Sequence, residues 1–378
     1  MVLFGRDAGG LVATSAFPVR PELLTVDWLD ALIRAGGDMA AGERLVSFEV
    51  RPVGEVIGVL GEVVRVFLTY SKPGAGPATL VIKFAHKNAE NRQIANNTKM
   101  YEREVRFFNE VSKEVRMPMT KCYFAQMDPV TGGNAVVIED LVAYDVGDQV
   151  KGVTLEQVKM VIDAIAPLHA RFYDNWREKF GHMMTIDSDE YIEGFSPGFF
   201  GTWEQAIKNF PECFPPELLD ALPRYVAGFK WIMKDMGNRK MTFIHGDVKM
   251  DNAMFGAGRP GSLPVIMIDW QNMMVSNPLQ DLAWLAASSL KVDVRRAIED
   301  EYLEYYRRKM ADNGVQGYTI EQIRDDYDAG LLFIMSFNIL IAGAFVPSSE
   351  RDRQMAIAGL ERAIAAVLDR GLLARIPA

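Results

Sequence analysis

Phe243-Ile244-His245-Gly246-Asp247-Val248-Lys249-Met250-Asp251-Asn252, followed downstream by Val265-Ile266-Met267-Ile268-Asp269-Trp270, is the stretch on which the reading of this 378-residue chain turns. Two short apolar runs enclose a polar loop, an arrangement that puts charged side chains at the ends of buried strands. Phosphoryl transfer asks a protein for a base that orients the attacking hydroxyl and for oxygen ligands that hold magnesium against a triphosphate. Asp247 suits the first task, and Asn252 and Asp269 carry the hard oxygens that suit the second. Asp and Asn also cap ordinary turns. An HGDxxxxN match followed by an apolar strand ending in Ile-Asp-Trp is, however, rare on ordinary residue frequencies.

Upstream of this stretch the texture is that of strands. Leu45 to Val53, Val63 to Tyr70 and Thr79 to Phe84 are rich in Val, Phe, Thr and Tyr, as are Lys121 to Gln126 and Ala135 to Ile138. A helix at about 25–35, capped by Thr25, leads them, and a second is expected from Asn97 to Glu114. Gly54, Gly58 and Gly61 stand between the first two strands, where backbone N–H groups could approach phosphate with no Cβ in the way; three glycines in a β-turn need no ligand to account for them.

After Val142 the periodicity becomes helical, with helices expected over Thr154–Phe180, Pro216–Met236, Pro278–Leu290, Val294–Asn313 and Thr319–Val346. The fold class expected is α+β, with a small β-rich N-terminal lobe over 1–141 and a larger, mostly helical C-terminal lobe over 142–378 that carries the catalytic loop, 243–256.

Composition narrows the function classes. With 49% hydrophobic and 24% charged residues the chain can bury a large core, and its net charge of −9 offers no footprint for nucleic acid. Cys122 and Cys213 stand alone, without the spacing of a zinc or dithiol site. No sustained apolar segment follows the N-terminus, so the expected location is the cytoplasm. Ala329 to Val346 is uncharged and about as long as a membrane span. Its interruption by Ser336, Asn338, Gly330 and Gly343 favours a buried helix.

The motifs together resemble the aminoglycoside phosphotransferase and choline kinase superfamily, and within it the ecdysteroid-kinase-like branch. The resemblance rests on HGDVKMDN (245–252), IDWQ (268–271), DLAW (281–284), VIEDL (137–141) and YEREVRFF (101–108). It implies a protein-kinase-like two-lobed fold and an ATP- and Mg2+-dependent transfer to a hydroxyl.

By that resemblance Asp247 is the catalytic base, Asn252 and Asp269 are magnesium ligands, and His245 braces the loop. Lys249 stands where protein kinases carry a lysine near the γ-phosphate; the plainer reading is a solvated surface lysine. Lys83 closes a strand similar to the kinase Val-Ala-Ile-Lys strand, and Glu104 rather than Glu102 is its expected ion partner. Glu139, Asp140 and Leu141 match the crossover where backbone meets the nucleotide base, with side chains that serve either the ligand or the hinge. Asp281, just after Asn277-Pro278, is expected to support the catalytic loop, and His169 to pack and hydrogen bond nearby.

No Ala-Pro-Glu motif and no long activation segment separate Asp269 from Pro278, so a small-molecule acceptor is expected rather than a protein. Phe195, Phe199, Phe200, Trp203, Trp231, Met273, Met274, Met335 and Phe337 would suit an apolar alcohol wherever they line a pocket, although most such residues are core. The alternatives are an aminoglycoside or amino-alcohol kinase and a catalytically silent nucleotide-binding protein.

Overall fold

The structure is a computed structural model that describes residues 17–53, 61–256, 258–344, 347 and 349–377. The chain divides into two compact units, one made of the chain up to Lys113 together with Met119–Val142, the other of Glu114–Pro118 and Ala143–Ala378. Glu114–Pro118 therefore goes with the second unit, although it falls within the expected N-terminal lobe. Within that second unit Lys179 bonds to the Glu114 carboxylate, and Arg171 Nε donates to Glu114 O at 3.0 Å.

In the first unit helix α1 (Val26–Ala35) starts at Thr25, whose Oγ1 accepts from Trp28 N–H. Strands β1 (Leu45–Pro52), β2 (Gly61–Tyr70) and β3 (Thr79–Ala85) follow. Next come helices α2 (Ala89–Asn97) and α3 (Met100–Arg106), then strands β4 (Cys122–Met127) and β5 (Asn134–Glu139). The strands form one antiparallel sheet in the order β1-β2-β3-β5-β4.

Alternation along β3 sorts its side chains: Leu80, Ile82 and Phe84 are buried with Leu29 and Ile33 of α1, Val64 and Val66 of β2, and Val137 of β5. Lys83, one residue out of step with Ile82, belongs to the other face. The helix expected over Asn97–Glu114 starts later, at Met100, because Lys99 before it takes a left-handed φ of 53° and parts it from α2. Past α3 the chain widens into a π-turn over Phe107–Val111.

The second unit opens with β6 (Asp145–Val146), α4 (Leu155–Phe172), α5 (Arg177–Phe180), α6 (Asp189–Asn209), α7 (Pro216–Ala227) and α8 (Phe229–Gly237). Strands β7 (Thr242–Ile244), β8 (Ala253–Phe255), β9 (Val265–Met267) and β10 (Met274–Ser276) frame the stretch over 245–273, pairing as β10-β7 and β6-β8-β9. Helices α9 (Leu279–Ser289), α10 (Val292–Asp312), α11 (Ile320–Ala344) and α12 (Glu350–Asp369) complete it.

Helices α6 and α12 were not foreseen. Pro197, Gly194, Gly198 and Gly201 argue against helix in α6 on propensity. The glycines permit the close packing that overrides it: a Cβ on Gly198 would lie 3.3 Å from Leu340 of α11, and one on Gly343 would strike Thr202. The helix expected over Thr154–Phe180 is two pieces, parted where Asp174 takes a φ of 59°. That expected over Pro216–Met236 breaks at Gly228, against which Ile376 packs. Helix α11 is long and apolar enough to span a membrane, yet it lies inside the unit, packed by α6, α8, α9 and α12 with Leu331 to Ser336 all buried.

Candidate active site

Strand β7 ends at Ile244 and delivers His245, Gly246 and Asp247 into a buried loop. Asp281, in the first turn of α9, takes the loop's opening amides: Oδ2 accepts from His245 N–H and Oδ1 from Gly246 N–H, both at 2.8 Å. His169 Nε2 sits 3.1 Å from the same Oδ2, while its Nδ1 faces Tyr306 Oη at 2.9 Å. Burial holds the Tyr306 hydroxyl protonated well above its ordinary range, and since a carboxylate only accepts, Nε2–H donates to Asp281. A fully buried carboxylate is thus met by three donors.

Gly246 turns the chain with a φ of 78°, a left-handed conformation that side chains disfavour, and a Cβ there would strike Asn272 O. The His245 ring bridges the two halves of the motif. Its Nδ1 accepts from Asp247 N–H at 3.2 Å and its Nε2 bonds Ile268 O at 3.0 Å, one residue before Asp269. Burial pushes the His245 pKa down against the pull of Asp281 and Asp247, which keeps the ring neutral, with its proton on Nε2.

Asp247 is 3% exposed. Its Oδ2 accepts from Lys249 Nζ at 2.9 Å and from Asn252 Nδ2 at 3.0 Å, while Oδ1 is buried with no hydrogen-bond partner. Lys249 is therefore no free surface lysine. Burial opposes its charge, but Asp247, Asp269 and Asp251 outweigh that and raise its pKa above the ordinary lysine value.

Asn252 spends Nδ2 on Asp247 O and Oδ2, leaving its amide oxygen turned from that carboxylate. Ile268 N–H donates to Asn252 O at 2.9 Å, so the backbone brings Asn252 and Asp269 together, the latter held at a φ of 69°. Among the described residues no group of three or more His, Cys, Asp and Glu could by itself hold a metal. An amide oxygen and a carboxylate fit magnesium, which keeps most of its shell from water and phosphate.

Three supports of this loop carry no signal in the sequence. Ser289 Oγ accepts from Met250 N–H at 3.1 Å, Asp251 Oδ1 accepts from Gln149 N–H at 3.0 Å, and a Cβ on Gly147 would press on Met250 O.

In the first unit Lys83 Nζ lies 2.6 Å from Glu104 Oε1, with side chains 17% and 4% exposed. Glu102 faces elsewhere, paired with Arg106. Arg65 grips the Asp140 carboxylate at both oxygens, 2.5 and 3.1 Å, which assigns that side chain to the crossover itself. Glu139 donates its N–H to Lys121 O, and burial raises its carboxyl pKa; Leu141 follows the end of β5. Gly61, expected in the glycine turn, is the first residue of β2, paired with Ala85. Gly54 and Gly58 lie outside the described residues. Of the apolar residues suggested for an acceptor, Phe195, Phe199, Met273, Met274 and Met335 are core, whereas Phe200 and Trp231 are exposed.

The model of the ecdysteroid kinase-like family matches residues 58–315, which take in the strand of Lys83, the loop that carries Asp247 and all of α9. The chain belongs to the ecdysteroid kinase-like family. Among solved structures, a Ralstonia eutropha JMP134 protein assigned as an aminoglycoside phosphotransferase shares 15% identity at a TM-score of 0.52, covering 94% of this chain and 99% of that one. A microcompartment-associated aminopropanol kinase shares 14% at 0.51, covering 90% and 96%. At such identity both likenesses speak for the fold, the kinase-like fold of the aminoglycoside phosphotransferase and choline kinase superfamily.

A Caenorhabditis elegans protein named uncharacterized oxidoreductase dhs-27 is 22% identical over 339 residues, 79% of this chain. The match takes in 39% of the C. elegans protein, so this chain spans about two fifths of that relative's length.

Proposed function

We propose that this member of the ecdysteroid kinase-like family transfers the γ-phosphate of ATP to a hydroxyl of a small molecule. One observation carries the reading: the Asp247 carboxylate has Oδ2 occupied by Lys249 and Asn252 and Oδ1 buried and unbonded. A carboxylate fixed through one oxygen is oriented to receive a proton on the other.

In this mechanism the acceptor hydroxyl lies against Asp247 Oδ1 and gives up its proton there as its oxygen bonds to the γ-phosphorus. The bond from that phosphorus to the β–γ bridging oxygen breaks, and ADP departs with the electron pair. Lys249, charged at neutral pH, holds Asp247 and offsets negative charge that gathers during transfer. Asn252 Oδ1 and Asp269 would hold magnesium, which when bound neutralises the phosphate oxygens. Lys83, steadied by Glu104, would meet the α- and β-phosphates, and the backbone of Glu139 to Leu141 would face the base.

The oxidoreductase in the C. elegans relative's name does not suit this chain. Its named strands pair antiparallel among the described residues, unlike the parallel sheet of a dinucleotide-binding fold. Burial also pushes the thiols of Cys122 and Cys213 up to about 12, away from redox chemistry.

The reading extends to an apolar alcohol as acceptor and to the cytoplasm as location. Magnesium-dependent ATP consumption across sterols, hydroxyacyl compounds, amino alcohols and aminoglycosides, with Asp247→Asn in parallel, tests it. Turnover that vanishes in Asp247→Asn is the expected result; turnover that survives the substitution overturns the assignment of the base.

A further inference from the structure

Helix α9 holds the catalytic loop at both of its own ends. Asp281 takes the amides of His245 and Gly246, and Ser289, the last residue of the helix, takes that of Met250. At 1.5 Å per residue the two grips stand roughly 12 Å apart along the axis. A third grip comes from outside the helix, where Gln149 N–H donates to Asp251 Oδ1.

The carbonyls beside the second and third grips converge on one side chain. Arg362 of α12 donates from Nη1 to Gln149 O at 2.6 Å and to Ser288 O, and from Nη2 to Val150 O at 3.1 Å. Arg362 is 6% exposed, and no carboxylate lies within ion-pair distance of it among the described residues. Burying a guanidinium without a counter-charge is costly. Its planar fork can join carbonyls from two separate segments, as an ammonium cannot. Ser288 O belongs to the last turn of α9, where carbonyls lack intrahelical partners and the helix end attracts a cation.

We propose that Arg362 is a positioning residue for phosphoryl transfer. By tying Gln149 and Val150 to Ser288 it fixes the spacing between Gln149 N–H and Ser289 Oγ, the two supports from which Met250 and Asp251 hang. Asn252 directly follows those two residues and Asp247 stands just upstream in the same loop, so the base and the amide oxygen beside it inherit that spacing. The inference rests on the kinase reading above for its catalytic consequence, and on the hydrogen bonds alone for its structural one.

The test compares the full chain with Arg362→Lys and Arg362→Gly, using ATP, magnesium and an acceptor found in the screen. A shift of the loop by about 1 Å would lower kcat by roughly 100-fold in Arg362→Lys, with the KM for ATP within about threefold of the parent. Methylguanidine is expected to restore kcat in Arg362→Gly by at least about tenfold on the same argument. Hydrogen exchange at the Met250 and Gln149 amides, whose protons go to Ser289 Oγ and Asp251 Oδ1, reads the position of the loop without turnover. Faster exchange at those amides in Arg362→Lys, with α10 and α11 unchanged, is the supporting result. Parental kcat and parental exchange in Arg362→Lys would overturn the proposal. So would a loss of protection spread evenly over the second unit that methylguanidine leaves untouched. Should the parent chain turn over no acceptor, the kinase reading fails by that result, and exchange at the two amides still decides the structural claim. Should Arg362→Gly fail to fold, Arg362→Lys carries the decision.

Discussion

Asn252 Nδ2 lies 3.0 Å from both the backbone carbonyl and the Oδ2 of Asp247. One amide thus orients the carboxylate and, by spending its donors there, leaves its own oxygen as an acceptor. Asp247→Asn removes the proton acceptor and should lower kcat by about 10²- to 10⁴-fold, with nucleotide affinity retained. Asn252→Ala removes both the donor to Asp247 and the amide oxygen, which should cost turnover and raise the magnesium concentration needed for half-maximal rate. Steady-state kinetics over a magnesium titration separate the two substitutions.

Asp281→Asn should destabilise the second unit by about 3 kcal/mol, since an amide can accept at only one of two oxygens that now serve His245 and Gly246 N–H. The remaining NH2 would point a donor at a donor. The midpoint of urea unfolding measures the loss, and a midpoint equal to that of the parent would refute the role assigned to this carboxylate.

Gly246→Ala should cost about 1–3 kcal/mol and disturb catalysis together, because the residue sits at a φ of 78° with Asn272 O in the way of a Cβ. Thermal unfolding and kcat read the two effects, and an alanine variant with parental values in both would show that the turn relaxes freely.

His245 supplies a pH dependence of definite sign. Its pKa is depressed in the folded chain, so below the ordinary value of 6.5 the unfolded state binds more protons and stability falls as pH falls. The contribution is fully present above that value. Nitrogen chemical shifts of the ring should report a neutral, Nε2-protonated imidazole at pH 6; titration at an ordinary histidine pKa would contradict this.

Lys83→Met should raise the KM for ATP by more than about tenfold if the ammonium meets phosphate oxygens, since charge-assisted contacts are worth about 1.5–3 kcal/mol. Glu104→Gln should produce a smaller change in the same direction. Equal KM values in all three proteins would remove the pair from the nucleotide site.

Much of this was legible in the chain itself. Lys83 was placed by the likeness of its strand to the kinase Val-Ala-Ile-Lys strand and Glu104 by helical register, and the pair meets at 2.6 Å. The strands were found to within about two residues, because alternating apolar residues report a half-buried sheet directly. Helix α6 was missed because its glycines and proline weaken local propensity, and its stability comes from packing on α11. The helix from Asn97 was expected to begin before Lys99 because nothing local forces that residue to a φ of 53°.

The sequence by itself determined the family, the fold class and the chemical residue types, because His245, Asp247, Asn252 and Asp269 fall on one short stretch whose spacing is set by covalent geometry. Only the tertiary structure decided which oxygen of Asp247 is left unbonded, that Lys249 is bonded rather than solvated, and that Ser289 and Arg362 stand behind the loop. The last of these depends on α9 and α12 folding back beside residues far away in the chain. Contacts of that kind leave no local periodicity to be read, since they are selected by the packing of whole helices and not by the propensities of neighbouring residues.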